Sequence, residues 1–210
     1  MNKILLLAVS LILSFTTVQA QLIKSDGADK PAWKAPVEDK YLAGAVPVVD
    51  GMVTFSRDIE IPTAGIQDPK SVLVAAKHWV GKQFARPEVN TRKNLDRDTT
   101  DLSLKVGINE YMVFTSRALS LDRTQFIYSL AISVEGGKLH VVMSDITYYY
   151  EEDRAPEKYT AEEWITDEEA LTKNGKKFYK GRGKFRTKTI DAFDDFCTSL
   201  HDYLWQSLAK

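Results

Sequence analysis

Apolar residues at every second position from Phe126 to Val134 constrain this chain more than any other feature. Phe126, Tyr128, Leu130, Ile132 and Val134 keep the period, Gly136-Gly137 breaks it, and Leu139, Val141 and Met143 resume it. Side chains of a strand point alternately to opposite faces, so these residues line one face of a hairpin turned by the glycine pair. A two-stranded hairpin is marginal in water, and its apolar face needs more strands and a covering layer. After Met143 the apolar set shifts to Ile146, Tyr148 and Tyr150, which predicts a change of face or a bulge.

Two segments can supply the cover. Ile190, Phe193, Phe196, Cys197, Leu200, Tyr203, Leu204 and Leu208 form a stripe at helical spacing, with Asp191, Asp195, Thr198 and Asp202 opposite. Upstream, Asp68-Pro69 is an N-cap followed by proline at the first helical position. Val72, Leu73, Ala76, Trp79, Val80 and Phe84 then recur on one face before Pro87.

Further strands are predicted from Val53 to Ile61 after an Asp50-Gly51 turn, with an irregularity near Arg57, and around Val89 to Leu95 and Leu102 to Ser116, joined through the "DRDTTD" turn. Thr160 with Glu163 and Thr166 with Glu169 read as capping boxes of two short helices. The expected fold is α+β: strand, helix, antiparallel sheet, helix, with the helices packed on one face of the sheet.

The opening "MNKILLLAVSLILSFTTVQA" has one charge at Lys3, an apolar run from Ile4 to Phe15 and a small residue at Ala20. That pattern is a secretory signal, and the run is short for a membrane span. Residues 1–20 are therefore expected to be a signal peptide, 21–46 an extended leader with mixed charge, and 47–210 a single domain. Gln21 rather than cysteine follows the expected cut, so the product is expected outside the cytoplasm, periplasmic or extracellular, without a lipid anchor or a membrane span. Cys197 is the only cysteine, so no internal disulfide can form and stability must come from the core.

The net charge of −1 gives no overall drive toward nucleic acid, which is not an expected partner. Local charge is concentrated in "KNGKKFYKGRGKFRTK", from Lys173 to Lys188. A phosphate loop ending at Gly183-Lys184 would need glycine at Phe178 and Ser or Thr at Phe185, and both are absent. The acidic segment just before it offers Glu162, Glu163, Glu168 and Glu169 as internal partners for Lys176, Lys177, Lys180 and Arg182. The competing reading is a surface for an anionic partner, an envelope protein or a glycan.

No metal or cofactor pattern is present. His78, His140 and His201 lack zinc spacing, and "DRDTTD" has Asp101 and Gly107 where a calcium loop needs glycine and glutamate. Cys197 sits on an apolar stripe without a histidine placed to activate it, and no serine stands in a nucleophile elbow. No catalytic residue is assigned.

The stretches "YLAGAVPVVDGMVTFSRDIEIP", "EYMVFTSRALSLDRTQFIYSL" and "KYTAEEWITDEEAL", followed by a basic segment and a terminal helix, are together similar to an exported Bacteroidetes family: the domain of unknown function numbered four-four-six-eight, described as TBP-like. The resemblance runs from about Tyr41 to the C-terminus and implies the same order of strand, helix, antiparallel sheet and helix. The family has no established activity, and the fold's name describes topology without implying DNA binding.

The leading functional expectation is a non-catalytic binding or accessory module of the cell envelope. Its contact surface would be the sheet face or a groove beside Tyr148, Tyr150, Tyr159 and Trp164, with Lys177, Lys180 and Arg182 at the rim. The alternatives are a hydrolase of envelope polymers using carboxylates of residues 151–169, and a structural protein that self-associates through a sheet edge.

Overall fold

The computed structural model describes residues 37–85, 95–100, 102–117, 120–151 and 155–209. The predicted signal peptide and the leader up to residue 36 lie outside the described residues. Asp50 and Gly51 adopt φ of 52° and 81°, which fold β1 (Val48–Val49) against β2 (Met52–Val53). This pair of positive φ values is what a two-residue hairpin matched to strand twist requires. Strand β3 (Phe55–Glu60) buries Phe55 and Ile59.

The irregularity expected near Arg57 is not there, because β3 pairs in unbroken register from Phe55↔Met143 to Glu60↔Lys138. Arg57 faces the helices at the rim, where it bonds Asp194 at 2.5 Å and lies over the Phe193 ring.

A short helix that the sequence reading missed, α1 (Thr63–Gln67), precedes α2 (Pro69–Gln83). Asp68 caps α2 by accepting from the Ser71 N–H, and the predicted residues Val72, Leu73, Ala76, Trp79 and Val80 are its buried face.

The main sheet is antiparallel in the order β3-β7-β6-β5-β4, built from β4 (Leu95–Thr99), β5 (Ser103–Arg117), β6 (Ser120–Glu135) and β7 (Lys138–Tyr150). Strand β8 (Glu157–Thr160) pairs the far end of β7. The expected "DRDTTD" turn is corrected: Asp96 to Thr99 pair with β5, and the reversal is the tight one in which Thr100 N–H donates to Ser103 O. Backbone pairing with β5 overrides the turn-like composition, and an edge strand tolerates charge. The part of the predicted strand from Val89 to Asn94 lies outside the described residues.

Gly136 and Gly137 take φ of 56° and 77° at the β6–β7 turn. The predicted shift along β7 is a bulge: Ile127 pairs Thr147 but Ser129 pairs Ser144, and Asp145 sits at φ 56°. The extra residue returns Ile146, Tyr148 and Tyr150 to the face of Leu139, Val141 and Met143.

Helices α3 (Ala161–Trp164), α4 (Asp167–Ala170) and α5 (Arg182–Leu208) complete the chain. The basic stretch from Arg182 onward is thus the first turns of α5.

Helices α2 and α5 lie on one sheet face, with Trp79 edge-on to Phe196 at 4.7 Å and Phe193 against Phe55 at 5.6 Å. Leu104, Val106, Ile108, Leu130, Ile132, Leu139 and Val141 are nearly or fully buried beneath them, each contributing roughly 1.5–3 kcal/mol. The core also takes in Tyr41 and Val46, ahead of the expected domain start at residue 47. Among the described residues, none from the opposite sheet face, that of Asn109, Tyr111, Gln125, Ile127 and Tyr149, belongs to this core.

Candidate functional site

Two surfaces compete, and the bulge in β7 separates them. On the helix side it directs Tyr148 and Tyr150 inward, where the start of α5 and the end of β8 meet them. Tyr148 is fully buried, its hydroxyl 2.7 Å from Thr189 Oγ1, and burial holds it well above the usual phenol range. No partner can reach Tyr148, so its place in the expected groove is corrected.

Trp164 stacks on the Tyr159 ring at 3.7 Å, and the Arg182 guanidinium lies 4.5 Å from its ring centroid. Phe185 meets Tyr148, Tyr150, Tyr159 and Trp164 edge-on. The four expected aromatic residues are therefore brought together, but around a buried phenylalanine.

The basic stretch divides at the start of α5. Arg182 donates to Glu169 Oε2 and to the carbonyls of Glu169 and Glu163. Lys184, whose side chain is 13% exposed, bonds Asp122 at 2.8 and 3.0 Å and the Tyr150 hydroxyl at 2.7 Å. The Phe114 and Tyr150 rings lie 4.5 and 4.2 Å from the same ammonium.

Arg186 is completely buried and donates to the carbonyls of Tyr41, Leu42 and Ile165 and to Asp167 Oδ1. Burial lowers its pKa, and the Asp167 carboxylate acts against that shift. Lys176, Lys177 and Lys180 stay exposed, and none pairs with a carboxylate among the described residues. Internal pairing thus holds for Arg182 but not for those three lysines.

Part of the acidic segment is likewise committed to structure. Glu162 accepts from Val53 N–H at 2.7 Å, Asp167 from Gly44 N–H at 2.6 Å, and Thr160 with Glu163 forms the expected capping box. The second expected box does not form: Thr166 donates instead to Glu162 O, and Glu169 is held by Arg182.

The other sheet face has a different character. The register aligns Tyr111, Gln125, Tyr149 and Lys158 in a row across β5, β6, β7 and β8. The Arg123 guanidinium lies 3.9 Å from the Tyr111 ring centroid, and the Lys158 ammonium 5.8 Å from that of Tyr149. Gln125 is 9% exposed and accepts from Asn109 Nδ2 at 3.3 Å, while Asn109 Oδ1 is buried without a hydrogen-bond partner.

The sequence pointed to the sheet face or groove beside Tyr148 and Tyr150, and named neither this opposite face nor its residues. The available signal was the polar and aromatic set between the apolar positions of β5 and β6.

Among the described residues no three His, Cys, Asp or Glu side chains cluster as a metal would require. His78, His140 and His201 bond Tyr203, Asp58 and Asp202 respectively. Cys197 is buried, and burial pushes its thiol up to about 11. Glu110 faces inward and accepts from the buried Tyr128 hydroxyl at 2.8 Å, and burial raises its carboxyl pKa. A groove of about 490 Å³ between the ends of α2 and α5 is lined mostly by polar side chains, including Gln83, Asp195, Thr198 and Gln206. No described helix is long and apolar enough to cross a membrane.

Comparison with known proteins identifies relatives. Residues 55–149 match the family described as "Domain of unknown function (DUF4468) with TBP-like fold". A DUF4468 family protein of Bacteroides ovatus ATCC 8483, known as a crystal structure, is 33% identical and superposes with a TM-score of 0.65, covering 79% of this chain and 93% of its own. The crystal structure of a TBP-like protein from Parabacteroides distasonis ATCC 8503, 18% identical, has a TM-score of 0.57 and is covered over 96% of its length by 76% of this chain. No curated protein matches.

Proposed function

This chain belongs to the DUF4468 family, and from that premise we propose that it is a non-catalytic, exported binding module of the cell envelope whose recognition surface is the open face of its sheet. One observation carries the reading. Every described helix-side cation from Arg182 to Arg186, with its aromatic neighbours, has an internal partner, whereas Arg123 and Lys158 on the opposite face rest on tyrosine rings with no carboxylate partner among the described residues. A cation on a ring is pre-positioned and keeps its hydrogen-bonding capacity for an incoming anion.

Of the carboxylates of residues 151–169 on which the hydrolase alternative draws, Glu162, Glu163, Asp167 and Glu169 are bonded to backbone or to arginine, which supports binding over catalysis. Lys177 and Lys180 form a separate basic rim on the helix side. Export is supported by the charged, apolar and small-residue pattern of residues 1–20.

The test places a photo-crosslinking residue at Tyr149 or at Tyr179 in cells that make the protein. Tyr179 is 43% exposed in the basic loop, away from the sheet face. Adducts from position 149 and not from 179 are expected. Adducts confined to position 179 would overturn the choice of face.

A further inference from the structure

The open sheet face also limits the chemistry of its ligand. This deeper reading rests on the proposed function above. Three features coincide within one patch: two cations without carboxylate partners, Arg123 and Lys158; the amides Asn109 and Gln125 at the centre; and Tyr111 and Tyr149 flanking Gln125 in register.

The cations call for an anion, and a guanidinium stacked on a ring presents a planar fork suited to a carboxylate or sulfate. The buried, unpartnered Asn109 Oδ1 calls for a donor, because an unsatisfied buried acceptor is costly. A phosphodiester or a glutamate carboxylate brings acceptors only and leaves the donor to another part of its chain, whereas a sugar acid carries the anion and hydroxyl donors on one ring. The Arg123 guanidinium already lies over the Tyr111 ring, so it competes there with the stacking that a nucleobase needs. Gln125 is only 9% exposed, so contact falls on the residues around it and suits a ligand lying across the strands.

We propose that this patch binds an acidic glycan. Its carboxylate or sulfate groups pair with Arg123 and Lys158, and a ring hydroxyl donates to Asn109 Oδ1 after a rotation of that side chain. Such binding weakens as salt rises, since both cations are near solvent.

The test is calorimetric titration of the full chain with four probes: oligogalacturonate, the same oligosaccharide with its carboxyls reduced to alcohols, a sulfated heparin oligosaccharide, and oligothymidylate. Binding of an acidic glycan is expected without binding of the reduced form. Arg123→Gln is expected to weaken it about tenfold, the scale of one lost charge-assisted contact, while Lys177→Gln with Lys180→Gln leaves it unchanged. Thermal melts of the variants, expected to match the wild type, exclude unfolding as the cause.

Oligothymidylate binding without glycan binding would overturn the ligand class in favour of nucleic acid, and failure of both acidic glycans would also overturn it. Either result, combined with crosslinks from Tyr149, leaves the face standing. Glycan binding that is lost in the Lys177 and Lys180 variant and kept in Arg123→Gln would instead refute the face.

Discussion

Replacing Arg186 by methionine tests how the basic stretch divides. The side chain is 0% exposed and makes four bonds of 2.5 to 2.6 Å, to the carbonyls of Tyr41, Leu42 and Ile165 and to Asp167. Methionine fills much of the volume but donates nothing, so three carbonyls and one carboxylate lose their partner together. Removing one member of a buried charged pair costs roughly 3–5 kcal/mol, and each orphaned carbonyl adds about 1 kcal/mol or more where water cannot reach it.

Asp167 is 39% exposed and recovers solvation, which holds the total near the lower part of that sum. The expected loss is about 6 kcal/mol, a large share of the roughly 5–15 kcal/mol that holds a domain together. Arg186→Lys keeps the charge without the divergent fork and is expected to lose about half as much.

Urea unfolding reads this as a lower midpoint at unchanged slope. Hydrogen exchange is expected to speed up first at Leu42 and Ala45, whose amides bond Asp39 and Leu42 carbonyls in the segment Arg186 pins. A loss below about 1 kcal/mol, the scale of a surface pair, would refute the assignment of Arg186 as a buried anchor.

Glu110 provides a pH test. Burial raises its native pKa above the ordinary 4.5, so the native state binds this proton more readily than the unfolded chain. Its stabilising contribution is full below the ordinary value and is lost as pH rises through the raised one. Melts of Glu110→Gln against wild type should therefore show the variant gaining relative stability toward neutral pH, and a constant difference would contradict this. A Cβ at Gly65 would meet Val72 Cγ2 at 2.5 Å, beside a fully buried valine, so Gly65→Ala should cost about 1–3 kcal/mol by overpacking in a urea titration. Cys197, buried with its thiol near 11, should resist alkylation by iodoacetamide until denaturant unfolds the chain, and rapid native labelling would contradict that burial.

What the sequence disclosed followed from periodicity. The β6–β7 hairpin, the bulge and the buried stripe of α5 were all legible, because a single period of 2 or 3.6 defines each of them. Tyr148 was legible as core by the same argument, since it shares the period of Ile146. Lys177 and Arg186 have similar chemistry, yet one is exposed and the other buried. Extending the stripe back from Ile190 by one turn reaches Arg186 and Thr187, a signal hidden only because the residues are polar. "DRDTTD" misled because pairing with β5 decides its conformation. The patch of Asn109, Tyr111, Gln125, Tyr149 and Lys158 was not legible, because it exists only through the register of four strands.

Tyrosine iodination tests the central claim most directly, because three tyrosines occupy three environments. Tyr148 is buried, Tyr149 lies half-buried on the open face, and Tyr179 is exposed in the basic loop. In the purified protein Tyr149 and Tyr179 should react and Tyr148 should not. In envelope fractions of the producing cells Tyr149 should become protected while Tyr179 still reacts. Protection of Tyr179 with Tyr149 left reactive would contradict the account and return the binding surface to the basic stretch.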